Sequence, residues 1–343
     1  FFAGRAGGQE TKRAEQDGEV FHLNYFFVKS EKILFSKNKM KLRLGKGWNT
    51  KNLFRQCKGG QLLANPKKNC CHPICRNPAS CRGRRNDHIN ARTLQDTNFF
   101  KMVILSFFTA HWFSAIFLQT FFHHRYASHK MFTMNIYWER TFHFLSYAVQ
   151  GSSYLVPRAY AIMHRMHHAF SDTEQDPHSP NFFKDVFSMM IHTAKIFDGL
   201  VADTRHVSAK FLAKSPTWDW LDKFGNSWYS RLMWGTGYFT FYYFFATSWW
   251  MYLLLPLHFL MGPLHGAIVN WCGHKYGYSN YDNGDHSKNS LPFDLLLLGE
   301  LFQNNHHQHP NSPNFAVRKW EFDPMYPVLR AMHWAKVIQL RRA

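Results

Sequence analysis

Between Arg231 and Lys275 the chain runs for 43 residues without a Lys, Arg, Asp or Glu. At about 1.5 Å per helical residue this is roughly 65 Å, twice the ~30 Å hydrocarbon core of a bilayer, which predicts two crossings joined by a tight turn near Thr247 to Met251. A second uncharged stretch, Met102 to Phe122, is long enough for one more crossing. Trp228, Trp234, Trp249, Trp250 and Trp271 fall near the ends of these segments, where an aromatic belt would lie. Thr141 to Pro157 is uncharged but shorter and carries Gln150-Gly151-Ser152-Ser153, so it reads as an interfacial or re-entrant helix. The expectation is an all-α integral membrane fold with about three transmembrane helices plus interfacial helices. A soluble protein with very apolar core helices is the competing reading; 18% aromatic residues and the length of the uncharged run disfavour it.

The net charge of +19 averages over two unlike parts. Residues 1–101 hold 21 Lys and Arg against 7 Asp and Glu, together with five of the six cysteines, whereas 19 of the 22 histidines lie beyond them. The expected organisation is a basic leader over 1–101, disordered or non-native and translated ahead of a true start at Met102; a membrane domain over 102–334; and a basic C-terminal tail over 335–343. Cys70, Cys71, His72, Cys75 and Cys81 contain no C-x2-C pair and suit no common zinc module. The basic run has no interleaved aromatics and no motif that reads a nucleic acid, so no nucleic-acid partner is expected.

Chemistry is concentrated in histidine clusters just outside the apolar segments. His124 and His129 form an H-x4-H pair after the first segment, and His164, His167 and His168, at offsets of 0, 3 and 4, share one helix face. His274 ends Asn270-Trp271-Cys272-Gly273-His274 after the last segment, and His306 and His307 end Gln303-Asn304-Asn305-His306-His307. Any single one of these is ordinarily an amphipathic surface residue. Together, eight imidazoles exceed what one four- to six-coordinate ion can use, so two metal ions are implied. Adjacent pairs such as His167 with His168 and His306 with His307 project about 100° apart on a helix and can serve different ions. Three crossings put all four clusters on the same face of the membrane, as one composite site requires. The same count places the basic leader on the opposite face, against the positive-inside tendency, which favours a non-native leader.

The ordered set HRYASH, HRMHH followed by Glu174-Gln175-Asp176-Pro177-His178, NWCGH and QNNHH closely resembles the integral-membrane fatty acid desaturases, specifically the acyl-CoA Δ9 (stearoyl-CoA desaturase-like) group in a bacterial-type form. The resemblance covers about Met102 to Trp334. It implies the histidine-rich di-iron desaturase fold with a cytosolic helical cap, and two iron ions held by His124, His129, His164, His167, His168, His274, His306 and His307. It also implies that Asn270 reaches a metal through water. Animal members of the group carry His where this chain has Gln303, so Gln303 is a weaker, amide ligand. Asp176, His178 and His309 are expected beside the ligands rather than among them, and His123, His258 and His265 in packing or polar tunnel contacts. Metal-bound imidazoles need an acceptor for the other ring nitrogen, for which Asp172, Glu174, Asp176, Asp282 and Asp285 are candidates.

The activity that the resemblance implies is O2-dependent removal of hydrogen from two adjacent methylenes of a fatty acyl-CoA or acyl-lipid, leaving a cis double bond, most simply at carbon 9, and two waters. The expected location is a bacterial inner membrane with the metal site on the cytoplasmic side. Arg158, Arg165, Lys184 and Lys195 are candidate partners for carrier phosphates. No His-Pro-Gly-Gly, four-cysteine or GxGxxG pattern occurs, so two electrons must come from an external ferredoxin, cytochrome b5-type protein or flavoprotein. The alternatives are a histidine-box hydroxylase or ketolase, which differs in the step after hydrogen abstraction, and a non-catalytic metal- or lipid-binding membrane protein.

Overall fold

The computed structural model describes residues 78–341, with side chains described from Asn98 onward. The leader's cysteines 57, 70, 71 and 75 and the last two residues of the basic tail lie outside the described residues, and Cys81 has no described side chain. Helix α1, Pro78–Leu118, crosses the boundary near residue 101, so residues 78–101 continue the same helix. It passes without a break into a π-helical segment, Gln119–Ser128, and the stretch Asn98–Ser128 has a mean hydropathy of 1.5 over its most apolar window. Among the described residues this is the one helix long and apolar enough by itself to cross a membrane.

Helix α2, Ile136–Gln150, starts at Asn135, whose side chain accepts the Trp138 N–H at 3.0 Å. Such a cap satisfies one of the donors that a helix start leaves open. Helix α3, Pro157–Phe170, begins on a proline, which needs no partner at that position. Helices α4, Val186–Val201, and α6, Trp228–Phe245, are capped by Asp185 and Ser227, and the short α5, Asp219–Asn226, joins them. The predicted turn near Thr247 to Met251 falls where α6 ends at Phe245 and a 3-10 turn, Trp249–Leu254, begins.

The second half of the uncharged run differs from a straight crossing. Helix α7, Leu255–Phe259, and helix α8, Met261–Gly273, meet at a bend of 75°. Pro263 supplies the cause: its ring clashes with the carbonyl four residues earlier, Phe259, and it has no N–H to give, so the helix breaks at Leu260. Helices α9, Gln303–Gln308, and α10, Met325–Trp334, follow. The chain then closes on itself through a two-residue antiparallel pair, β1 (Phe132–Thr133) with β2 (Gln339–Leu340), so part of the expected tail is built into the fold.

Packing follows the helix faces. Tyr147, Tyr154, Ile162, Met166, Phe197 and Leu221 form a core joining α2 to α5. Phe121, Phe122, Phe132, Phe302, Phe315 and Leu329 bury the π-segment against the C-terminal region. The second core lies beside the π-segment that carries His124.

Candidate metal centre

The H-x4-H pair works because of the π-winding. In an α-helix, residues five apart point about 140° away from each other. A π-turn closes between residues i and i+5, and His129 N–H bonds His124 O at 3.2 Å. The two imidazoles thus come to the same side, with ring centroids 5.0 Å apart. Helix α3 then presents His164 and His168 to this pair, and α9 adds His306.

These five, His124, His129, His164, His168 and His306, form one group of converging ring nitrogens. His129 Nε2 lies 2.7 Å from His164 Nε2, and His168 Nε2 is 3.0 Å from both His164 Nε2 and His306 Nε2. His124 Nε2 is 2.9 Å from His306 Nε2. Adjacent ligands of one ion at ordinary metal–imidazole distances of about 2.1 Å are about 3 Å apart. The donor set therefore fits a cation at the point where the five meet.

His167, His274 and His307 form the second group, their ring centroids 5.0 Å apart pairwise. Each Nδ1 faces a carboxylate: His167 to Asp176 at 3.0 Å, His274 to Asp172 at 2.8 Å and His307 to Asp285 at 2.6 Å. Every Nε2 of the three is buried and without a hydrogen-bond partner. A buried nitrogen left unpaired costs about 1–3 kcal/mol, and three that converge are an arrangement a metal ion completes. The adjacent pairs divide as helix geometry requires, His167 from His168 and His306 from His307.

Of the acids expected to accept from the histidines, Asp172, Asp176 and Asp285 lie within hydrogen-bond distance of an imidazole Nδ1, whereas Glu174 and Asp282 are exposed on loops. The sequence reading missed Glu300, which faces His124 Nδ1 and accepts from Thr120. Its signal is an acid inside an apolar run, Leu295 to Phe302, three residues before Gln303. Arg125, fully buried, lies beside Glu300, forks onto Asp323 at 3.0 and 3.2 Å and donates to Pro313 O at 2.7 Å, with its guanidinium over Phe315. The residue next to His124 thereby ties the C-terminal region to the first group.

His178 is buried beside His167, with ring centroids 4.4 Å apart, and forms a third candidate group with His167 and Asp176. His309 is not brought to either group; it is exposed, its ring against the face of Tyr281. Following Gln308 at the end of α9, it has left the helix face that aims His306 inward. Gln303 is buried and gives its amide nitrogen to Glu300 O at 2.7 Å, which leaves the amide oxygen as the atom able to meet a cation. Gly273 makes room for it, since a Cβ there would stand 2.4 Å from Gln303 Cγ. Asn270 bonds its own helix at Gly266 O. His123 packs through Leu155 O at 2.8 Å, and His258 pairs with His111 and Tyr242 away from both groups. Arg165 gives its guanidinium to Ala127 O, Phe211 O and Ser215 Oγ, which ties the end of the π-segment to the chain after α4. Arg158 pairs with Asp203 at 2.7 Å, and Lys184 and Lys195 are exposed.

Burial, and then repulsion among neighbouring imidazoles, hold His129, His164, His168 and His306 well below the usual 6.5, and lower His307 to about 4 and His178 to about 3. Burial also opposes the charged form of His167, but Asp176, Asp172 and Asp285 outweigh it and raise its pKa. Most of these imidazoles are thus neutral, the form that binds metal. The unfolded chain takes up protons below about 6.5 that these folded imidazoles refuse, so stability rises with pH in that range. The metal-free protein should therefore show a lower melting temperature at pH 5.5 than at pH 7.5 in detergent. An unchanged or higher value at pH 5.5 would contradict the buried, neutral cluster.

The sequence profile of fatty acid desaturases matches residues 100–336. The Delta-9 desaturase-like 5 protein of Arabidopsis thaliana is 27% identical over 62% of this chain and 67% of its own length. The acyl-CoA 5-desaturase AL21 of Anemone leveillei is 29% identical over 64% of this chain and 65% of its own, and the sn-1 stearoyl-lipid 9-desaturase of Anabaena variabilis 27% identical over 47% and 56%. The chain thus spans about two thirds or less of the length of these relatives.

Proposed function

The chain belongs to the fatty acid desaturase family, and on that premise we propose that it is a membrane di-iron desaturase that introduces a cis double bond, at carbon 9, into an acyl chain carried by CoA or a lipid. The observation that carries this reading is the division of eight imidazoles into convergent groups of five and three, the smaller one with every Nδ1 on a carboxylate and every Nε2 unpaired. We assign His124, His129, His164, His168 and His306 to one iron, His167, His274 and His307 to the other with Gln303 as a weaker ligand, and Asn270 to a water-mediated contact. Bound there, iron supplies the O2 chemistry that methylene C–H bonds demand and that side-chain acids and bases lack. In the overall reaction O2 takes two hydrogens from the chain and two electrons and two protons from outside, and leaves as two waters.

The protein's own residues hold and shield. Asp172, Asp176 and Asp285 fix the tautomer and orientation of their imidazoles by accepting the Nδ1 proton, Glu300 faces His124 in the same way, and Arg125 neutralises Glu300. Phe315 packs on the His124 and His306 rings of the first group, where bulk water would otherwise compete. A cleft of about 380 Å³ bordered by Ser128, Pro310 and Asn311 reaches His129 and His168. In the topology we propose, α1, α6 and the bent α7–α8 pair cross the bilayer, α2 lies at its surface, and the π-segment, α3 and α9 with their histidines lie in a cap on the cytoplasmic side, where an external ferredoxin, cytochrome b5-type protein or flavoprotein would deliver electrons.

The test is the fatty-acid profile of cells expressing the full chain, with double bonds located by mass spectrometry after derivatisation. The expected product is a cis monoene at carbon 9. Because AL21 is named a 5-desaturase, a monoene at another carbon would retain desaturation and correct the position. A hydroxylated chain would overturn desaturation in favour of hydroxylation.

A further inference from the structure

The segment between α8 and α9 from Leu291 to Phe302, LPFDLLLLGELF, is a series of turns with no helix or strand, and it contains no Lys or Arg. Both of its acids are turned inward, Asp294 fully buried and Glu300 nearly so. Asp294 accepts the backbone N–H groups of Leu297 at 2.9 Å, Gly299 at 3.1 Å and Leu301 at 2.9 Å, so one carboxylate serves as an internal cap for the whole turn. Leu297 and Leu301 pack on Ile116 of α1 and against Ile268 and Val269 of α8. Trp112 of α1 donates to Leu296 O at 3.0 Å.

The outer side of this segment is apolar. Leu291, Phe293, Leu295 and Leu296 are 42%, 62%, 60% and 49% exposed, and Phe322, whose N–H bonds Pro292 O, adds to them. A water-facing loop gains nothing from such a row of large apolar side chains. Leu105 and Phe113 of α1 are exposed as well, and Trp112 ties the segment to the middle of the apolar stretch Asn98–Ser128. Irregular backbone enters lipid only where its polar groups are bonded within the protein, and the Asp294 cap removes three of them from that demand.

We propose that Leu291–Leu298 is inserted into the bilayer leaflet on the metal-site side, with Phe293, Leu295 and Leu296 in contact with lipid acyl chains. The inference rests on the reading of α1 as a membrane crossing. It also makes lipid contact local to the metal centre, since Glu300, on the same turn, faces His124.

The experiment replaces the six cysteines by Ser, adds Phe293→Cys, Leu295→Cys, Phe113→Cys or Lys319→Cys singly, and attaches a nitroxide to the full chain in phosphatidylcholine vesicles. Collision with lipid-soluble O2 is compared with collision with a water-soluble nickel chelate by power saturation. Labels at 293 and 295 should favour O2 several-fold, as at 113, and the label at 319 should favour nickel. If 293 and 295 behave like 319 while 113 favours O2, the inserted segment is overturned and the crossing by α1 stands. If 113 also favours nickel, the crossing itself is wrong. Shielding of 293 and 295 from both reagents, or spin–spin broadening there, would assign the patch to a protein partner or a second copy and overturn lipid contact.

Discussion

His306→Ala abolishes desaturation while the protein still inserts into membranes, and it releases iron from the five-histidine group. His306 has this weight because its Nε2 lies 2.9 Å from His124 Nε2 and 3.0 Å from His168 Nε2, so it joins the ligands of the π-segment to those of α3. His274→Ala should be as severe through the other group, which has three imidazoles and no spare. The paired measurement is product formation in cells and iron per purified chain. Full activity in either variant would sink the ligand assignment. The same experiment on His309→Ala, an exposed imidazole in neither group, should leave both readouts near those of the parent.

Asp176→Asn weakens iron binding by about 10- to 100-fold, the usual cost of losing a partner that orients a ligand. Asn keeps the shape and one acceptor oxygen for His167 Nδ1, so the change removes chiefly the negative charge beside the ring. Desaturation should fall at limiting iron and recover in part at high iron, as measured against a competing chelator. Asp285→Asn, acting through His307, should behave alike. Glu300→Gln has a further effect, since it leaves Arg125 with Asp323 as its remaining carboxylate and loosens the C-terminal closure. Unchanged affinity in all three would mean that the carboxylates only fill space.

The histidine clusters, the turn near Thr247 and the separation of adjacent imidazoles were legible because each depends on neighbours within a turn or two. What brings His124 and His129 together was not, for π-winding leaves no simple periodic mark. Glu300 and Asp323 were hidden for another reason: their partners, His124 and Arg125, lie far away in sequence. Sequence distance also misled over His309, placed beside the ligands by its nearness to His307 but turned outward past the end of α9. The bend at Leu260 was readable in principle from Pro263; the inward acids of Leu291 to Phe302 were marked only by their apolar setting, which does not say what each carboxylate meets.

The central claim is that eight imidazoles hold two ions in unlike surroundings, and the most direct test is the Mössbauer spectrum and iron count of the purified, 57Fe-loaded full chain. Two irons per chain with two distinct quadrupole doublets, one lost in His306→Ala and the other in His274→Ala, is the predicted result. A single iron, or one doublet that both substitutions erase together, would contradict it.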